Sequence, residues 1–501
     1  MKALIVFAIA TLYSAGFLYA QDVHTASTRQ MSLAEVLSLS NASAEAKIAR
    51  YTFLSSHWEY ESVRKNILPT LSFSGTLPQI NRSFTKATLP DGREAFVSQF
   101  YGDYSGGLEL QQVIPQTNTK ISVSSGLERL DLYGQEHTKS YLATPFKVGV
   151  SQSLFTYNAD KWERKINPVK YNAAKQRYLQ EREAVYAKAA ALYFDLLSAQ
   201  EQYKNAKNIR AYSDTLYAMA SEKYRKQSIV ESEYLQVELN ALQAEYEERN
   251  CYRLWKEALF TLKDFLSVED SEEWILTMPD QERLPLVSQE LALNEASENN
   301  SVYHEFKQKE IEAHSNLIRS KTANRFSMDI YASFSLNQNA GALAKSYTDL
   351  LDQEMVSVGL RIPILDWGRS KSQIKMAQAQ KDVTLLQIDQ ERRTFVRELI
   401  SLVEELGVQE QKVLLSRRAI DIANRKLSIE TLMYRLAKVD FSHYQDALID
   451  QKSCLITYLE DQKQYWLLYY SVRKTTLYDF MESQKIETSF KDLLLGDVVS
   501  R

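Results

Sequence analysis

Two parts of the chain repeat one another at a fixed distance. Val148-Gly149-Val150 recurs as Val358-Gly359-Leu360, and Tyr224-Arg225 recurs as Tyr434-Arg435, in both cases 210 residues later (358 − 148 and 434 − 224). Further pairs keep this spacing: Leu154 with Ile364, Ser232 with Ser442, and Tyr234 with Tyr444. A constant spacing held across about 85 residues indicates a duplicated unit. The fold must therefore accommodate two matched halves.

Each half contains an unusually long helical pattern. Residues 158–225 include no glycine and one proline, Pro168, and residues 368–435 are interrupted only by Gly407. The spacing predicts a helix ~100 Å long in each half, at ~1.5 Å per residue. In the first half, apolar residues advance by three, four or seven positions, as in a coiled-coil seam: Tyr171, Ala174, Tyr178, Val185, Leu192, Leu196, Tyr203 and Ala206.

Other segments complete the plan of each half. Breaks near Gln227-Ser228 and at 437–439 lead into return helices, and each long helix follows alternating, half-buried strands. The predicted shorter helices are 32–66, 231–268, 288–323 and a return helix that ends near Phe480. The predicted strands begin at Leu71 and Val148 in the first half, and at Met328 and Val356 in the second.

The halves differ in the distance between their strands. First strand to second strand spans 77 residues in one half (148 − 71) and 30 in the other (358 − 328), an excess of 47. Two more alternating runs lie at about 104–131, separated by a turn at 114–118. We interpret the excess as a hairpin inserted at the tip of the strands.

The amino terminus has the composition of an export signal. Lys2 supplies positive charge, an apolar run follows, and Ala20 offers a small residue at the cleavage point. The predicted organisation is a signal peptide at 1–20, a first repeat at 21–280, a second repeat at 281–480 and a tail at 481–501. No later window approaches the ~20 apolar residues that a transmembrane helix requires.

The predicted fold class is mainly α with a membrane β-barrel portion. Four principal strands per chain are too few to close a barrel around solvent, whereas three chains would supply twelve strands and a ring of packed helices. The alternation of apolar with polar or small residues suits an outer-membrane barrel. A soluble sheet that caps a helical bundle has the same pattern, and this alternative stays open.

Several motifs resemble those of TolC-like outer-membrane efflux proteins. Leu33-Ala34-Glu35-Val36-Leu37 is similar to the opening of that family, and the run from Val358 to Arg369 is similar to its strand-to-helix signature. The break that begins at Tyr434-Arg435 resembles the helix-turn-helix tip of these proteins. The resemblance covers about 30–480. It implies a homotrimeric conduit, with a barrel in the outer membrane and a helical tunnel across the periplasm.

The resemblance also implies partners. Members of this family bind no energy source, and they dock onto a periplasmic adaptor (membrane fusion) protein and an inner-membrane transporter of the RND or ABC type. It implies contact with outer-membrane lipid and a location in the outer membrane that extends into the periplasm. The cargo stays unidentified, because selectivity in this family lies largely with the inner-membrane partner.

The resemblance further implies a gate near the helix tips, where acidic and aromatic side chains narrow the bore. Local alignment places Tyr434, Asp446 and Glu233 at gate-region positions, and His443 where an aspartate is common. Three carboxylates around a threefold axis would favour cations, and a histidine would add sensitivity to pH. Solvated tip residues are the alternative for all of these except Tyr434, for which packing is the alternative. The glycine usual at the turn is replaced by Gln227 and Ala437.

The sequence offers no chemistry for catalysis. Six histidines form no ligand-spaced cluster, and no phosphate-binding glycine loop or nucleophile motif is present. We therefore predict no enzyme activity, cofactor or metal, and a net charge of −4 argues against a nucleic-acid partner. Cys251 and Cys454 are expected to stay unpaired. The predicted function is the outer-membrane channel of a tripartite efflux or type I secretion system. The alternative is a secreted or periplasmic structural coiled-coil protein.

Overall fold

The chain folds as two compact units. The computed structural model describes residues 28–88, 92–133, 137–270, 272–279, 287–436 and 438–498. The predicted signal peptide at 1–20 lies outside these residues. The helical unit takes the described residues as far as Ala49, with Gln180–Ala292 and Ile400–Glu487. The sheet unit takes Arg50–Leu179, Leu293–Leu399 and the described residues from Thr488 onward.

Helices dominate the described part of the chain. In order they are α1 Leu33–Ser40, α2 Ala44–Lys65, α3 Ala159–Arg225, α4 Glu231–Leu266, α5 Gln289–Asn299, α6 Ser301–Ala323, α7 Arg369–Arg435, α8 Phe441–Thr476 and α9 Phe490–Val498. The strands are β1 Thr28–Met31, β2 Thr70–Thr88, β3 Glu94–Ile114, β4 Thr119–Tyr133, β5 His137–Leu154, β6 Glu273–Leu276, β7 Ser327–Ala340, β8 Leu351–Arg361, β9 Tyr478–Asp479 and β10 Gln484–Lys485. A short 3-10 helix, Leu343–Tyr347, lies between β7 and β8.

The four longest of these helices form two matched hairpins. Helices α3 and α7 each contain 67 residues, and α4 and α8 each contain 36. Both helices of the second hairpin begin 210 residues after their counterparts (369 − 159 and 441 − 231). The duplication seen in the sequence is therefore confirmed for whole elements, and both long helices lie within one residue of their predicted bounds.

Side-chain caps fix where the long helices begin. The Asn158 Oδ1 accepts a hydrogen bond from the Lys161 N–H at 2.9 Å. Before α7, the Asp366 carboxylate accepts from the N–H groups of Gly368 and Ser370, each at 3.0 Å. Such caps satisfy the N–H groups that a helix leaves unpaired in its first turn.

The two shorter helical segments are each divided in two. The predicted helix at 32–66 is α1 and α2, and the predicted helix at 288–323 is α5 and α6. The Ser43 Oγ accepts from the Ala46 N–H at 3.2 Å, and the Asn300 Oδ1 accepts from the Val302 N–H at 3.0 Å. These polar side chains cap a new helix start, a local signal that the apolar periodicity did not reveal.

One antiparallel sheet contains six of the strands, in the order β2-β3-β4-β5-β7-β8. The sheet therefore contains the four predicted principal strands, β2, β5, β7 and β8, and two more, so the predicted count of four per chain is wrong. The predicted hairpin turn is present between Ile114 and Thr119, but β3 and β4 do not sit at the tip of the other strands. They pair along their length between β2 and β5. Alternation extends from residue 94 to residue 133, so the excess forms full strands.

The sheet has one apolar and one polar face. A single row of register partners, Leu71, Leu110, Val123, Val148 and Phe334, crosses five strands on the same face. Val356 and Val358 continue the apolar face on β8, opposite Ala332 and Ile330. The opposite face carries Ser72, Ser74, Gly107, Glu109, Ser122, Ser124, Lys147, Gly149, Ser333 and Ser357. This is the alternation predicted from the sequence, extended over six strands.

The helical unit contains a small parallel pair of strands that the sequence pattern did not predict. Strand β1 pairs with β6, with Met31 opposite Leu276. Trp274 on β6 is fully buried and its Nε1 donates to the Asp270 Oδ2 at 3.2 Å. The Tyr193 hydroxyl donates to the Thr277 carbonyl oxygen. Strands of four residues are too short to show a periodic pattern in the sequence. Packing against α3 therefore determines that β1 and β6 pair.

A buried ion-pair network lies in the same unit. The Glu183 side chain on α3 is completely buried, and its Oε2 accepts from the Arg473 Nε at 3.0 Å. The Arg473 Nη1 also donates to the Asp479 Oδ2 at 2.8 Å. Burial raises the pKa of the Glu183 carboxyl, whereas the Arg473 charge acts in the opposite direction.

Cys251 and Cys454, on α4 and α8, are both free, as predicted.

We expect Arg473→Met to destabilise the fold by about 3–5 kcal/mol, because the buried Glu183 then loses its hydrogen-bonded partner and keeps only Arg182, whose Nη2 lies 4.0 Å away. Thermal unfolding followed by circular dichroism measures the loss. The double variant Glu183→Gln, Arg473→Met is the control, and it should recover most of the lost stability. An equal loss in both variants would contradict this account of the network.

The loss in Arg473→Met should also depend on pH. Without the Arg473 charge, burial raises the pKa of Glu183 with less opposition. Its contribution to stability is therefore present below its unfolded pKa of ~4.3 and is lost as pH rises through the raised value. The variant should therefore lose less stability at pH 4 than at pH 8. The same pair of unfolding measurements checks this, with the double variant as the reference that lacks the titrating group.

Candidate functional site

The candidate site lies where the two helical hairpins turn. In the first turn, the Ser228 N–H donates to the Lys223 carbonyl oxygen and the Gln227 N–H donates to the Tyr224 carbonyl oxygen, both at 2.8 Å. In the second, the Lys438 N–H donates to the Met433 carbonyl oxygen at 3.0 Å. Residues 438 and 433 follow 228 and 223 by 210, so the two turns share this helix-ending hydrogen bond.

The first turn requires a left-handed backbone. Gln227 has a φ of 56°, a conformation in which glycine has no steric cost and other residues do. This explains why a glycine is usual at this position in proteins with such a turn. The other replaced position, 437, lies outside the described residues.

In each hairpin, a tyrosine just before the turn stacks on a tyrosine that follows it. Tyr224 and Tyr234 stack with ring centroids 4.8 Å apart, and Tyr434 and Tyr444 stack at 6.3 Å. The two pairs are equivalent by the 210-residue spacing. The repeated tyrosines noticed in the sequence are therefore contacts that hold the outgoing helix against the returning one.

Tyr434 is mainly a packing residue. It is half-buried in an apolar cluster whose buried members are Leu216, Ala220, Val237, Phe441 and Tyr444. Its ring meets that of Phe441 edge-on, with centroids 5.5 Å apart. Because this cluster draws on both hairpins, it ties their ends together. Burial raises the pKa of Tyr434, and the nearby Glu233 charge raises it further.

Glu233 lies in the first turn of α4 and is exposed. The positive end of the helix dipole favours a carboxylate at this position. The structure thus brings Glu233 of the first hairpin within electrostatic reach of Tyr434 of the second.

His443 and Asp446 lie on one face of α8, three residues apart, and both are exposed. Asp446 has a basic neighbour on α7, Lys426, that the sequence pattern did not reveal. The Lys426 Nζ lies 2.7 Å from the Asp450 Oδ2. The pKa of Lys426 is raised first by this hydrogen bond and the Asp450 charge, and then by the charge of Asp446. Asp446 therefore belongs to a small mixed-charge group.

Other polar contacts near the turns were also missed. The Tyr217 hydroxyl lies 3.1 Å from that of Tyr234 and 3.2 Å from the Glu238 Oε1. The Tyr234 hydrogen bond, burial and the Glu238 contact raise the pKa of Tyr217 to about 12. These contacts link residues 17 and 21 positions apart across the turn. No sequence motif encodes such a pairing.

The acidic run on α4, Glu245, Glu247 and Glu248, forms ion pairs with neighbouring helices. Glu245 and Glu248 both face Arg210 of α3, with N–O distances of 3.2 and 3.6 Å. Glu247 pairs with Lys452 of α8 at 2.5 Å. Their charges therefore join helices of the unit.

Within the residues that the structure describes, no group of three or more histidine, cysteine or acidic side chains is arranged to hold a metal ion. None of the helices that the structure describes is both long and apolar enough to cross a membrane.

Comparison with known proteins supports the family resemblance. Residues 106–267 match the model of the outer membrane efflux protein family. None of the curated proteins matches the sequence. The TolC-like resemblance is thus confirmed in sequence for this segment, which includes β4, β5 and the first helical hairpin.

Solved structures extend the similarity of fold to most of the chain. The CmeC outer membrane channel of Campylobacter jejuni is 13% identical, with a TM-score of 0.64 over 93% of this chain and 89% of that one. The outer membrane protein VceC of Vibrio cholerae is 11% identical, with a TM-score of 0.63 over 91% and 97%. The MtrE outer membrane channel of Neisseria gonorrhoeae is 13% identical, with a TM-score of 0.59 over 91% of each chain. The similarity of fold therefore extends beyond the segment that matches the family in sequence.

Replacing Gln227 by glycine should stabilise the first turn by about 1 kcal/mol, because the left-handed conformation then has no side-chain clash. Hydrogen exchange of the amides around 223–228 should slow by about five-fold. Gln227→Val is the matched opposite change and should speed exchange. If glycine left exchange unchanged, the backbone of Gln227 would not be strained.

Proposed function

We propose that this chain is the outer-membrane channel of a tripartite efflux or type I secretion system. It lies in the cell outer membrane and extends into the periplasm, as a passive conduit for export across both. The observation that carries the proposal is the sheet, with an apolar band across one face, a polar opposite face and two open edges.

The dimensions of the band support a position in the bilayer. On β4, ten residues separate Thr119 from Arg129, which is ~33 Å along a strand and ~25 Å across a membrane at a tilt of ~40°. Arg129 lies 5.2 Å from the Tyr104 ring centroid and 5.8 Å from that of Tyr141. Aromatic and basic residues at the edge of an apolar band are typical of a membrane interface.

The lower edge of the band has its own aromatic pair. Phe155 follows β5 and Phe326 precedes β7, and their ring centroids lie 4.6 Å apart. The Arg325 guanidinium lies 5.7 Å from the Phe155 ring centroid. Two interfacial girdles with an apolar band between them are the arrangement expected of outer-membrane strands.

Closure of the barrel requires further copies of the chain. Strands β2 and β8 are the two edges of the sheet. An open edge exposes unpaired N–H and C=O groups, which lipid cannot satisfy. In a homotrimer, β8 of one chain pairs with β2 of the next, and the four longest helices of each chain line a common tunnel.

The conduit itself performs no chemistry, so transport needs partners. A periplasmic adaptor protein docks on the helical hairpins, and an inner-membrane transporter of the RND or ABC type supplies the energy. The matched structures are channels or membrane proteins by name. An enzyme on this scaffold finds no support in the residues.

We place the gate at the hairpin ends. Glu233 and Asp446 supply carboxylates that are repeated three times around the axis, and the exposed His443 lies three residues before Asp446 on the same helix. Tyr434 positions the ends by packing. Lys426 holds part of the acidic group in place through Asp450.

Recovery of the protein tests the conduit. Trimers in the outer-membrane fraction that conduct ions in planar bilayers are the expected result. A monomer recovered in soluble form from the periplasm would refute the conduit and support the structural coiled-coil alternative.

Asp446→Ala should weaken the block of that conductance by divalent cations by about ten-fold, because three carboxylates leave the mouth together. Planar-bilayer titration with Mg²⁺ measures the block. Asp421→Ala removes an exposed carboxylate of α7 far from the turn and should leave the block unchanged. Unaltered block in Asp446→Ala would remove Asp446 from the constriction.

A further inference from the structure

The β3–β4 hairpin is the feature that the proposed function does not explain. The second repeat crosses the sheet with two strands, β7 and β8, whereas the first crosses it with four. Deleting β3 and β4 would give the first repeat the same plan as the second. The chain therefore carries one more hairpin than a barrel of this repeat requires.

The hairpin has the properties of a membrane-spanning element. Leu110 of β3 lies between Leu71 and Val123, and Val123 of β4 lies between Leu110 and Val148. The apolar band thus continues through the hairpin without a break. On the polar face, Gly107 of β3 lies opposite Ser74, and Ser124 of β4 lies opposite Glu109 and Lys147. A surface loop folded over the barrel would not keep both faces in register with its neighbours.

The edges of the sheet determine how many strands the barrel has. All residues of β8 are exposed, and Phe73 on β2 is 72% exposed. Both edges lie at the level of the apolar band, so both must pair inside the membrane. Three copies that close edge to edge supply eighteen strands (3 × 6). This step rests on the trimer of the proposed function.

The number of strands fixes the diameter of the barrel. With strands ~4.8 Å apart and tilted by ~40°, eighteen strands give a backbone diameter of ~36 Å, against ~24 Å for twelve. The cross-section is then about twice as large.

The side chains on the polar face leave the centre of a barrel of this diameter unfilled. That face combines short side chains, such as Ser122, Gly149 and Ser333, with longer polar ones, such as Glu109 and Lys147. A barrel of about eighteen strands leaves an aqueous channel between its inward-facing side chains, in contrast to the packed interior of small barrels.

We propose that the outer-membrane section is an eighteen-stranded barrel with a water-filled lumen about 1.5 times as wide as a twelve-stranded one, and that the β3–β4 hairpin sets this width. The lumen admits hydrated polymers that a twelve-stranded barrel excludes. The polymer used as a probe is polyethylene glycol.

A precise excision isolates the hairpin. Asn81 pairs with Tyr101, Tyr101 with Leu132, and Leu132 with Thr138. Residue 82 therefore lies beside residue 137 once the two strands between them are removed. Replacing 83–136 by Asn-Gly, a two-residue hairpin turn, joins β2 to β5 with both faces in register.

A second deletion serves as the matched control. Ser83 pairs with Gln99, so replacing 84–98 by Asn-Gly shortens the β2–β3 hairpin and keeps all six strands across the apolar band. Both variants lose chain from the same region, but only the first loses strands from the membrane.

Labelling of a lumen-facing cysteine measures the width. Ser333→Cys on β7 is introduced with Cys251→Ser and Cys454→Ser, and intact cells are treated with polyethylene glycol maleimides of increasing size. Val356→Cys faces the apolar side and serves as the unlabelled reference. The largest reagent that labels wild-type strands and the 84–98 control should exceed the limit of the 83–136 variant by about 1.5-fold in radius. Equal limits in all three would overturn the proposal.

Imaging of the wild-type trimer provides a test that does not depend on folding of a variant. End-on electron cryomicroscopy averages in lipid nanodiscs should show eighteen strands. Trimers with twelve strands, or with β3 and β4 folded into the lumen, would overturn the wide barrel and leave the conduit intact. Absence of trimers from the outer membrane would instead overturn the conduit, and the barrel with it.

Discussion

The need to satisfy backbone hydrogen bonds at the edges of the sheet governs the rest of this structure. Each chain provides a six-stranded sheet whose edges, β2 and β8, have no strand beyond them among the described residues. In water such edges would invite aggregation, and in lipid they are excluded. In the proposed trimer, the apolar band faces lipid and the edges of neighbouring copies pair with one another. Assembly would then satisfy the backbone groups that a single chain leaves open.

The helical unit is stabilised in a different way, because its helices must pack against one another without a membrane. Its core is aromatic, with Tyr193, Tyr465 and Tyr469 nearly inaccessible to solvent. Buried charge is confined to a network centred on Arg473, which faces Glu183 and Asp479. The hairpin ends are held by stacked tyrosines in both repeats. The proposed gate residues Glu233, His443 and Asp446 lie exposed around this rigid cluster, which separates positioning from ion contact.

Prediction from sequence succeeded for long segments with a periodic pattern. It failed where a single contact determines the local structure. The bounds of α3 and α7 were predicted to within one residue, because 67 residues of uninterrupted periodicity leave little freedom. The caps at Ser43 and Asn300, the β1–β6 pair and the Lys426–Asp450 ion pair were missed. Each depends on one side chain or on residues distant in the chain. The four candidate gate residues were placed at the hairpin ends, but the packing role of Tyr434 emerged only from its neighbours.

The amino-acid sequence alone is enough to predict the duplication, the long helical hairpins and the two faces of the strands, because periodicity and repeat spacing are local properties of the chain. It also reveals the extra alternating runs of the first repeat, but not their position in the fold. The folded chain places β3 and β4 in the sheet as full strands, since strand order and register depend on pairing between residues far apart. This pairing changes the strand count from four to six and thereby the width of any barrel the chain can form.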